Sequence, residues 1–208
     1  KIAIIGLSNS GKTTVFNALT KGTVETAVFS SGRLEPNLAS VKVPDSRLEV
    51  LAGIYKPHKT TEAEVQYIDV GGLSADEDPN KELSAELLKA IGTADAVLHV
   101  VRSFEDDEVS HPLISIDPQR DLSAVEMELI FSDLVIIERR LERIEKDLRR
   151  LSGQELNLCV SEQELLLRLK TVLEEENPIA NIDLSQQEEK MIRGYNFLSM
   201  KPVLVVVN

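Results

Sequence analysis

Tryptophan is absent from the 208 residues, and all aromatics together make up only 4%. Long aliphatic helices must therefore carry much of the mass. Cysteine occurs once, at Cys159. That excludes an internal disulfide and any cysteine-based zinc cluster, and it favours a reducing compartment. No apolar run spans a bilayer: Ala96–Val101 and Val203–Val207 fall far short of the roughly 20 residues required. No signal peptide is visible, so a cytosolic location without a membrane partner is expected by elimination. Basic residues are outnumbered, 23 against 35 acidic ones, for a net charge of −12. This opposes broad adhesion to nucleic acid while leaving room for a local basic face. Hydrophobic residues, at 42%, supply one good core and a satellite. The chain opens without Met inside an expected strand and stops at Asn208 just after another. The expectation is part of a longer protein.

Lys1–Ile5 reads as a buried strand, Gly6–Lys12 as a loop and Thr13–Lys21 as a helix that Gly22 stops. Leu38–Val43 and Glu64–Asp69 are further strands. Leu83, Leu87 and Ile91 recur at helical spacing before Gly92, and Ala96–Val101 reads as a strand covered on both faces. Strands alternating with helices predict an α/β fold with a mostly parallel sheet. From Asp121 to about Ser199 only helix signals occur. Met127, Ile130, Leu134, Ile137, Leu141, Ile144, Leu148 and Leu151 form a heptad seam suited to a coiled-coil arm. Ser152-Gly153 interrupts it. Ser161-Glu162-Gln163-Glu164 reads as a capping box opening a second helix, which ends before Pro178. Ser185-Gln186-Gln187-Glu188 opens a third. Val203–Val207 then returns as a strand. Residues 1–120 and 201–208 are thus expected to form one domain, with 121–200 inserted as an antiparallel helical hairpin.

Gly6-Leu7-Ser8-Asn9-Ser10-Gly11-Lys12-Thr13-Thr14 follows the first strand and opens a helix. Gly6, Gly11, Lys12 and Thr13 satisfy G-x-x-x-x-G-K-[ST]. In that pattern the backbone N–H groups of Ser8 to Thr14 converge on phosphates, Lys12 supplies charge, and the Thr13 hydroxyl binds Mg²⁺. Asp69-Val70-Gly71-Gly72 ends another strand in D-x-x-G: Asp69 is suited to Mg²⁺ and the Gly72 N–H to a γ-phosphate. Together they describe a switch-type nucleotidase for ATP or GTP. The next residue is Leu73, which has no polar atom with which to orient an attacking water as a Gln would.

The phosphate loop with its Asn9, Glu35-Pro36-Asn37, Val43-Pro44-Asp45-Ser46-Arg47-Leu48, Asp69-Val70-Gly71-Gly72-Leu73, His99 to Asp107, and Asp117-Pro118-Gln119-Arg120-Asp121 resemble, in order and spacing, the YchF or Obg-like ATPase family. The resemblance implies a Ras-like P-loop domain, a helical arm, and a C-terminal TGS domain absent from this sequence. It also implies cytosolic ATP hydrolysis with some GTP use, and association with the ribosome or its RNA. It accounts for Leu73, because this family carries a hydrophobic residue in place of the catalytic Gln. In related enzymes the loop Asn helps hold K⁺, which Asn9 is then expected to do; a turn-forming role is the alternative. The first-switch Thr of the family is Arg33 here, leaving Ser30, Ser31 or water for the metal, while Arg33 is either a built-in finger or a solvated loop residue. Ser74-Ala75-Asp76-Glu77-Asp78-Pro79 replaces a Gly- and Lys-rich stretch. Asn208 fits the first position of either N-K-x-D or N-x-x-E, so ATP preference rests on the resemblance.

His58, His99 and His111 show no ligand spacing and read as strand or loop residues. Glu105, Asp106 and Asp107 read as a solvated acidic turn. Arg139, Arg140, Arg143, Lys146, Arg149 and Arg150 concentrate positive charge on the first arm helix, interleaved with Glu138, Glu142, Glu145 and Asp147. This is either a solvated face with i,i+4 pairs such as Glu142–Lys146 or a patch for RNA phosphate. A monomer is expected. The function expected is a ribosome-associated triphosphatase switch; the competing readings are a nucleotide-gated scaffold with little turnover and a GTP-specific relative.

Overall fold

The computed structural model describes residues 1–22, 37–69, 85–106, 108–113 and 115–208, with the side chains of residues 85–87 excepted. Five strands form one sheet: β1 (Ile2–Ile5), β2 (Asn37–Lys42), β3 (Glu64–Asp69), β4 (Ala96–Val101) and β5 (Val203–Val207), in the order β2-β3-β1-β4-β5. β1 pairs in parallel with β3 and β4, and β4 in parallel with β5; only β2 runs antiparallel, against β3. The expected strands appear with the expected centres.

Alternation along β1 assigns its side chains to two layers. Ala3 and Ile5 point into a cluster with Ile68, Val97, Ile91 of α3 (Ala85–Thr93) and Val125 and Leu129 of α4 (Pro118–Asp147). Ile4 points the other way, onto Leu98, Val100 and Phe16 of α1 (Lys12–Thr20). Helices thus cover both faces of the central strands, and β1 delivers its C-terminal end to the phosphate loop from the fully buried centre. α2 (Ser46–Tyr55), capped by Asp45, buries no residue against the rest. The sequence reading did not resolve it as a helix, because its pattern lacks a core-facing stripe.

α4 leaves the sheet and packs against α5 (Gly153–Glu174) around a second cluster built on Ile130, Ile137, Ile144, Leu165, Leu166, Leu169 and Leu173. Arg140 pairs with Glu162, and Lys170 with Glu138, so the two helices run antiparallel. The seam therefore holds from Ile130 to Leu151. Met127 departs from it and is 38% exposed, since that part of α4 turns toward the sheet.

Five local expectations need correction. Ser161-Glu162-Gln163-Glu164 opens no helix; it lies inside α5, which starts at Gly153 behind Ser152. Glu162 instead accepts from Nε and Nη2 of Arg140 and from the Tyr195 hydroxyl, and this tertiary pairing outweighs the local cap signal. α1 stops at Thr20, with Lys21 rather than Gly22 in the left-handed conformation. Gly92 lies within α3, which runs on to Thr93. Glu142 and Lys146 form no ion pair, and α4 begins at Pro118, earlier than expected, on the Asp117 cap. The Ser185 capping box of α6 (Gln186–Ile192) forms as read.

Asp133, fully buried on α4, accepts the backbone N–H groups of Leu198 and Ser199, both at 2.8 Å, and so ties α4 to the segment entering β5. Asp133→Ala leaves both donors without an acceptor and is expected to cost about 3 kcal/mol, read by urea unfolding. Asp117→Ala, at an exposed cap, should cost about 1 kcal/mol.

Candidate nucleotide site

At the end of β1 the chain turns through Gly6 (φ 146°) and enters α1 through Gly11 (φ 91°), both in the region that side chains disfavour. A Cβ on Gly6 would lie 2.2 Å from the Val100 carbonyl oxygen, and one on Gly11 2.1 Å from Asn208 Nδ2. The glycines let the loop wrap closely between β4 and β5. Lys12 is 6% exposed and donates to the carbonyls of Gly6 (3.1 Å) and Leu7 (2.9 Å). Burial lowers its pKa to about 8, against an opposing pull from Asp69. Ser10 Oγ is buried beneath the loop and has no hydrogen-bond partner among the described residues. Ser8 is half-buried, and Thr14 is exposed on the first turn of α1.

β3 brings Asp69, 1% exposed, opposite α1. Its Oδ2 accepts the Thr13 hydroxyl at 2.9 Å and Asn37 Nδ2 at 3.4 Å. A hydroxyl and a carboxylate meeting at the mouth of a phosphate-type loop are hard oxygen ligands. Two of them, with waters and substrate phosphates for the rest, suit Mg²⁺. Among the described residues no group of three or more His, Cys, Asp or Glu gathers to hold a metal without a substrate. Asn37, contributed by β2, was not singled out for this contact in the sequence; only pairing of β2 with β3 brings it there.

Asn208, just past β5, donates from Nδ2 to the Ser10 carbonyl (3.0 Å). Its own backbone is held by Val101 and Ser103. Asn9 takes the left-handed conformation (φ 60°), as a turn residue does, and donates from Nδ2 to the Ser110 carbonyl at 3.0 Å. That carbonyl also accepts from Arg102 (3.4 Å), a buried guanidinium that further donates to the carbonyls of Phe104 and Asp106. Arg102 thereby shapes the loop against which the phosphate loop leans. Glu105 and Asp106 are exposed, in keeping with a solvated turn. His99 is buried behind Lys12, and burial with that positive charge lowers its pKa to about 4, so it stays neutral. His111 Nε2 meets Asp121 Oδ2 at 2.7 Å while its Nδ1 accepts the Leu113 N–H, and the two contacts orient the ring.

The structure therefore brings together Ser8, Asn9, Ser10, Gly11, Lys12, Thr13, Thr14, Asp69 and Asn208. Ser30, Ser31, Arg33, Gly72, Leu73, the acidic stretch Ser74 to Pro79, and Asp107 lie outside the described residues.

The family profile described as 50S ribosome-binding GTPase matches residues 1–133, more than half of the chain. The chain belongs to that family. The resemblance drawn from the motifs is borne out over the full length. The chain is 37% identical over 208 residues to a protein of Pasteurella multocida (strain Pm70) named ribosome-binding ATPase YchF, covering 100% of this chain and 56% of that protein. It is 34% identical over 205 residues to the Bacillus subtilis (strain 168) protein of the same name, covering 99% and 55%. Obg-like ATPase 1 of Oryza sativa subsp. indica is 34% identical, over 100% of this chain and 52% of its own. The solved structure of the Schizosaccharomyces pombe YchF GTPase superposes with a TM-score of 0.80 at 33% identity, covering 100% of this chain and 56% of that one. The chain thus spans about half the length of these relatives. Among the described residues no helix is long and apolar enough to cross a membrane.

The lowered Lys12 pKa has consequences of definite sign. The unfolded chain binds the Lys12 proton up to about pH 10.5 and the folded, ligand-free protein only to about 8. Between those values the unfolded state holds more protons, so this lysine's contribution to stability rises with pH. A polyphosphate restores the cation. Triphosphate binding at pH 8 is therefore expected to take up about half a proton, measured by calorimetry in buffers of different ionisation enthalpy. Lys12→Arg should abolish the uptake. Lys12→Ala should weaken triphosphate binding about a hundredfold or more, as loss of charge-assisted hydrogen bonds requires.

Proposed function

We propose that this protein hydrolyses nucleoside triphosphates in an Mg²⁺-dependent reaction, ATP before GTP, and acts in the cytoplasm as a ribosome-associated conformational switch. The observation that carries this reading is the meeting of Lys12, Thr13 and Asp69 at the mouth of a loop shaped by Gly6 and Gly11. Lys12 would exchange two backbone carbonyls for terminal phosphate oxygens. Backbone N–H groups from Ser8 to Thr14 would hold the phosphate chain at the start of α1, where the helix dipole favours negative charge. The Thr13 hydroxyl and the Asp69 carboxylate would hold Mg²⁺, which when bound neutralises charge between the phosphates. Asn208 would fix the loop from the base side. Residues 1–120 with 201–208 would form the nucleotide domain, and 121–200 the arm.

Gly72 would sense the γ-phosphate, and Leu73 leaves the attacking water without a side-chain acceptor. The missing positive charge would then be supplied by a K⁺ beside the phosphates, which Asn9 would help to hold. The ribosome enters through the names of the relatives, ribosome-binding ATPase, and through the 50S family. Those names include both ATPase and GTPase, so the order ATP before GTP rests on the motif resemblance. Leu73 also supports the second reading, a nucleotide-gated scaffold with little turnover.

Titration of the protein with ATP and GTP analogues is expected to give the tighter binding to ATP; a GTP preference would favour the GTP-specific alternative. Single-turnover phosphate release should be roughly tenfold or more faster in K⁺ than in Na⁺, and Asn9→Ala should remove the difference. Release that stays negligible in K⁺, with and without ribosomes, would establish the scaffold instead.

A further inference from the structure

Asp69 ends β3, and its Oδ2 is gripped from two sides. From α1 the Thr13 hydroxyl donates at 2.9 Å, and from β2 the Asn37 amide donates through Nδ2 at 3.4 Å. The two donors differ in kind. The Thr13 hydroxyl oxygen keeps lone pairs with which to ligate an ion. Asn37 turns its N–H₂ to the carboxylate, and that group has donors only. Its action on Asp69 is to hold it.

The register of the sheet puts Asn37 there. β2 pairs with β3 from Lys42 opposite Glu64 to Asn37 opposite Asp69. Directly opposed residues of an antiparallel pair present their side chains on one face, with Cβ atoms about 5 Å apart. An Asn side chain is of the length that closes such a gap to a carboxylate. Strand propensity disfavours Asn, so its fit at this position comes from the partner across the ladder rather than from the backbone.

The carboxylate needs such a hold. Asp69 is 1% exposed, so bulk water does little to orient it. The terminal torsion of an Asp side chain is a broad, soft rotor, whereas Mg²⁺ demands near-ideal octahedral ligand geometry. A cationic side chain in place of Asn37 would fix that rotor but also neutralise the carboxylate, in competition with the ion. A neutral amide fixes it and leaves the negative charge to the ion.

We infer that Asn37 is a positioning residue for the divalent ion: from the edge strand it holds the Asp69 carboxylate in the orientation that receives Mg²⁺. The inference rests on the Mg²⁺-dependent reading above and deepens it, by adding to Thr13 and Asp69 a residue that acts on the ion only through Asp69. Hydrogen-bond partners of metal ligands set metal affinity by about ten- to a hundredfold. The Asn37 contact is long for a hydrogen bond, which places it at the lower end of that range.

The test uses Asn37→Leu, which keeps the approximate shape of the amide without its donors, and Asn37→Val, which lacks them too and suits a strand better. Mn²⁺ stands in for Mg²⁺. The protein is saturated with ADP or GDP, whichever binds more tightly, and Mn²⁺ binding is read from loss of the free-ion EPR signal. Both variants should bind Mn²⁺ about tenfold more weakly than the native protein. Asn37→Lys should weaken it further, because its ammonium pairs with Asp69. Nucleotide affinity in EDTA, where no divalent ion takes part, should be unchanged in Asn37→Leu and Asn37→Val, and so should the melting temperature. If Asn37→Leu alone melts early, Asn37→Val decides. A purely structural role would lower melting temperature, EDTA affinity and Mn²⁺ affinity together, and that pattern in both variants overturns the inference. A native-like Mn²⁺ affinity in any of the three variants overturns it as well, and leaves Thr13 and Asp69 as ion ligands that need no help from β2. If the native protein with nucleotide takes up no more Mn²⁺ than the nucleotide alone, the Mg²⁺ reading itself fails and the inference falls with it.

Discussion

The loop between β1 and α1 can pass where it does only because two of its residues have no side chain. At Gly6 the Val100 carbonyl occupies the space a Cβ would need, and at Gly11 the Asn208 amide does. Everything else at the site follows from that close passage. It lets Lys12 fold back under the loop onto the Gly6 and Leu7 carbonyls. It sets Thr13 at the height of Asp69 on the neighbouring strand. It also places Asn208, nearly two hundred residues away in sequence, in contact with the Ser10 carbonyl. A desolvated ammonium donating to two backbone carbonyls is a poor resting place for a charge, which is why burial depresses the Lys12 pKa despite the pull of Asp69, and why an incoming polyanion improves its surroundings.

The second constraint is the buried arginine at the end of β4. Arg102 has no carboxylate partner among the described residues; it gathers the carbonyls of Phe104, Asp106 and Ser110, and its guanidinium lies 4.4 Å from the Phe104 ring centre. Three charge-assisted bonds to backbone fix a loop that would otherwise have little to hold it. Asn9 leans on that loop from the phosphate side. On the other side His111 joins it to Asp121, which Arg120 also holds, in the first turn of α4. The acidic turn that draws attention in the sequence is therefore the solvated outside of a structure organised from within by Arg102 and His111.

The sheet was legible because its strands are short apolar runs bounded by turn residues, and the phosphate loop because its glycines and Lys12 sit in a fixed spacing between a strand and a helix. The heptad seam was legible for the same reason of period. What local pattern could not reveal was pairing across the chain. Ser161-Glu162-Gln163-Glu164 looks like a helix start by itself, yet Glu162 is the partner of Arg140 and Tyr195, and that partnership needs α5 to be continuous. Arg140 looked equivalent to Arg139 and Arg143, and only the antiparallel packing of α4 on α5 separates a structural cation from surface ones. Asn37 reaches Asp69 through an antiparallel register that no single-strand pattern encodes.

α4 is the element in which these constraints meet. Its first turn carries Asp121, held by His111 and Arg120; Val125 and Leu129 then bury into the sheet core; Asp133 takes two backbone N–H groups from the segment that leads into β5; and Ile137 and Ile144 build the hairpin. β5 in turn ends at Asn208, on the phosphate loop. The helix is thus fastened at two places along its inner half, once through the loop on which Asn9 leans and once through the strand that carries Asn208. Packed interiors and buried hydrogen bonds resist independent adjustment of either fastening. The arm is joined to the phosphate loop by two separate routes, and its orientation is set at the end of the molecule where the phosphates would bind, while its distal surface carries charges that no partner among the described residues neutralises.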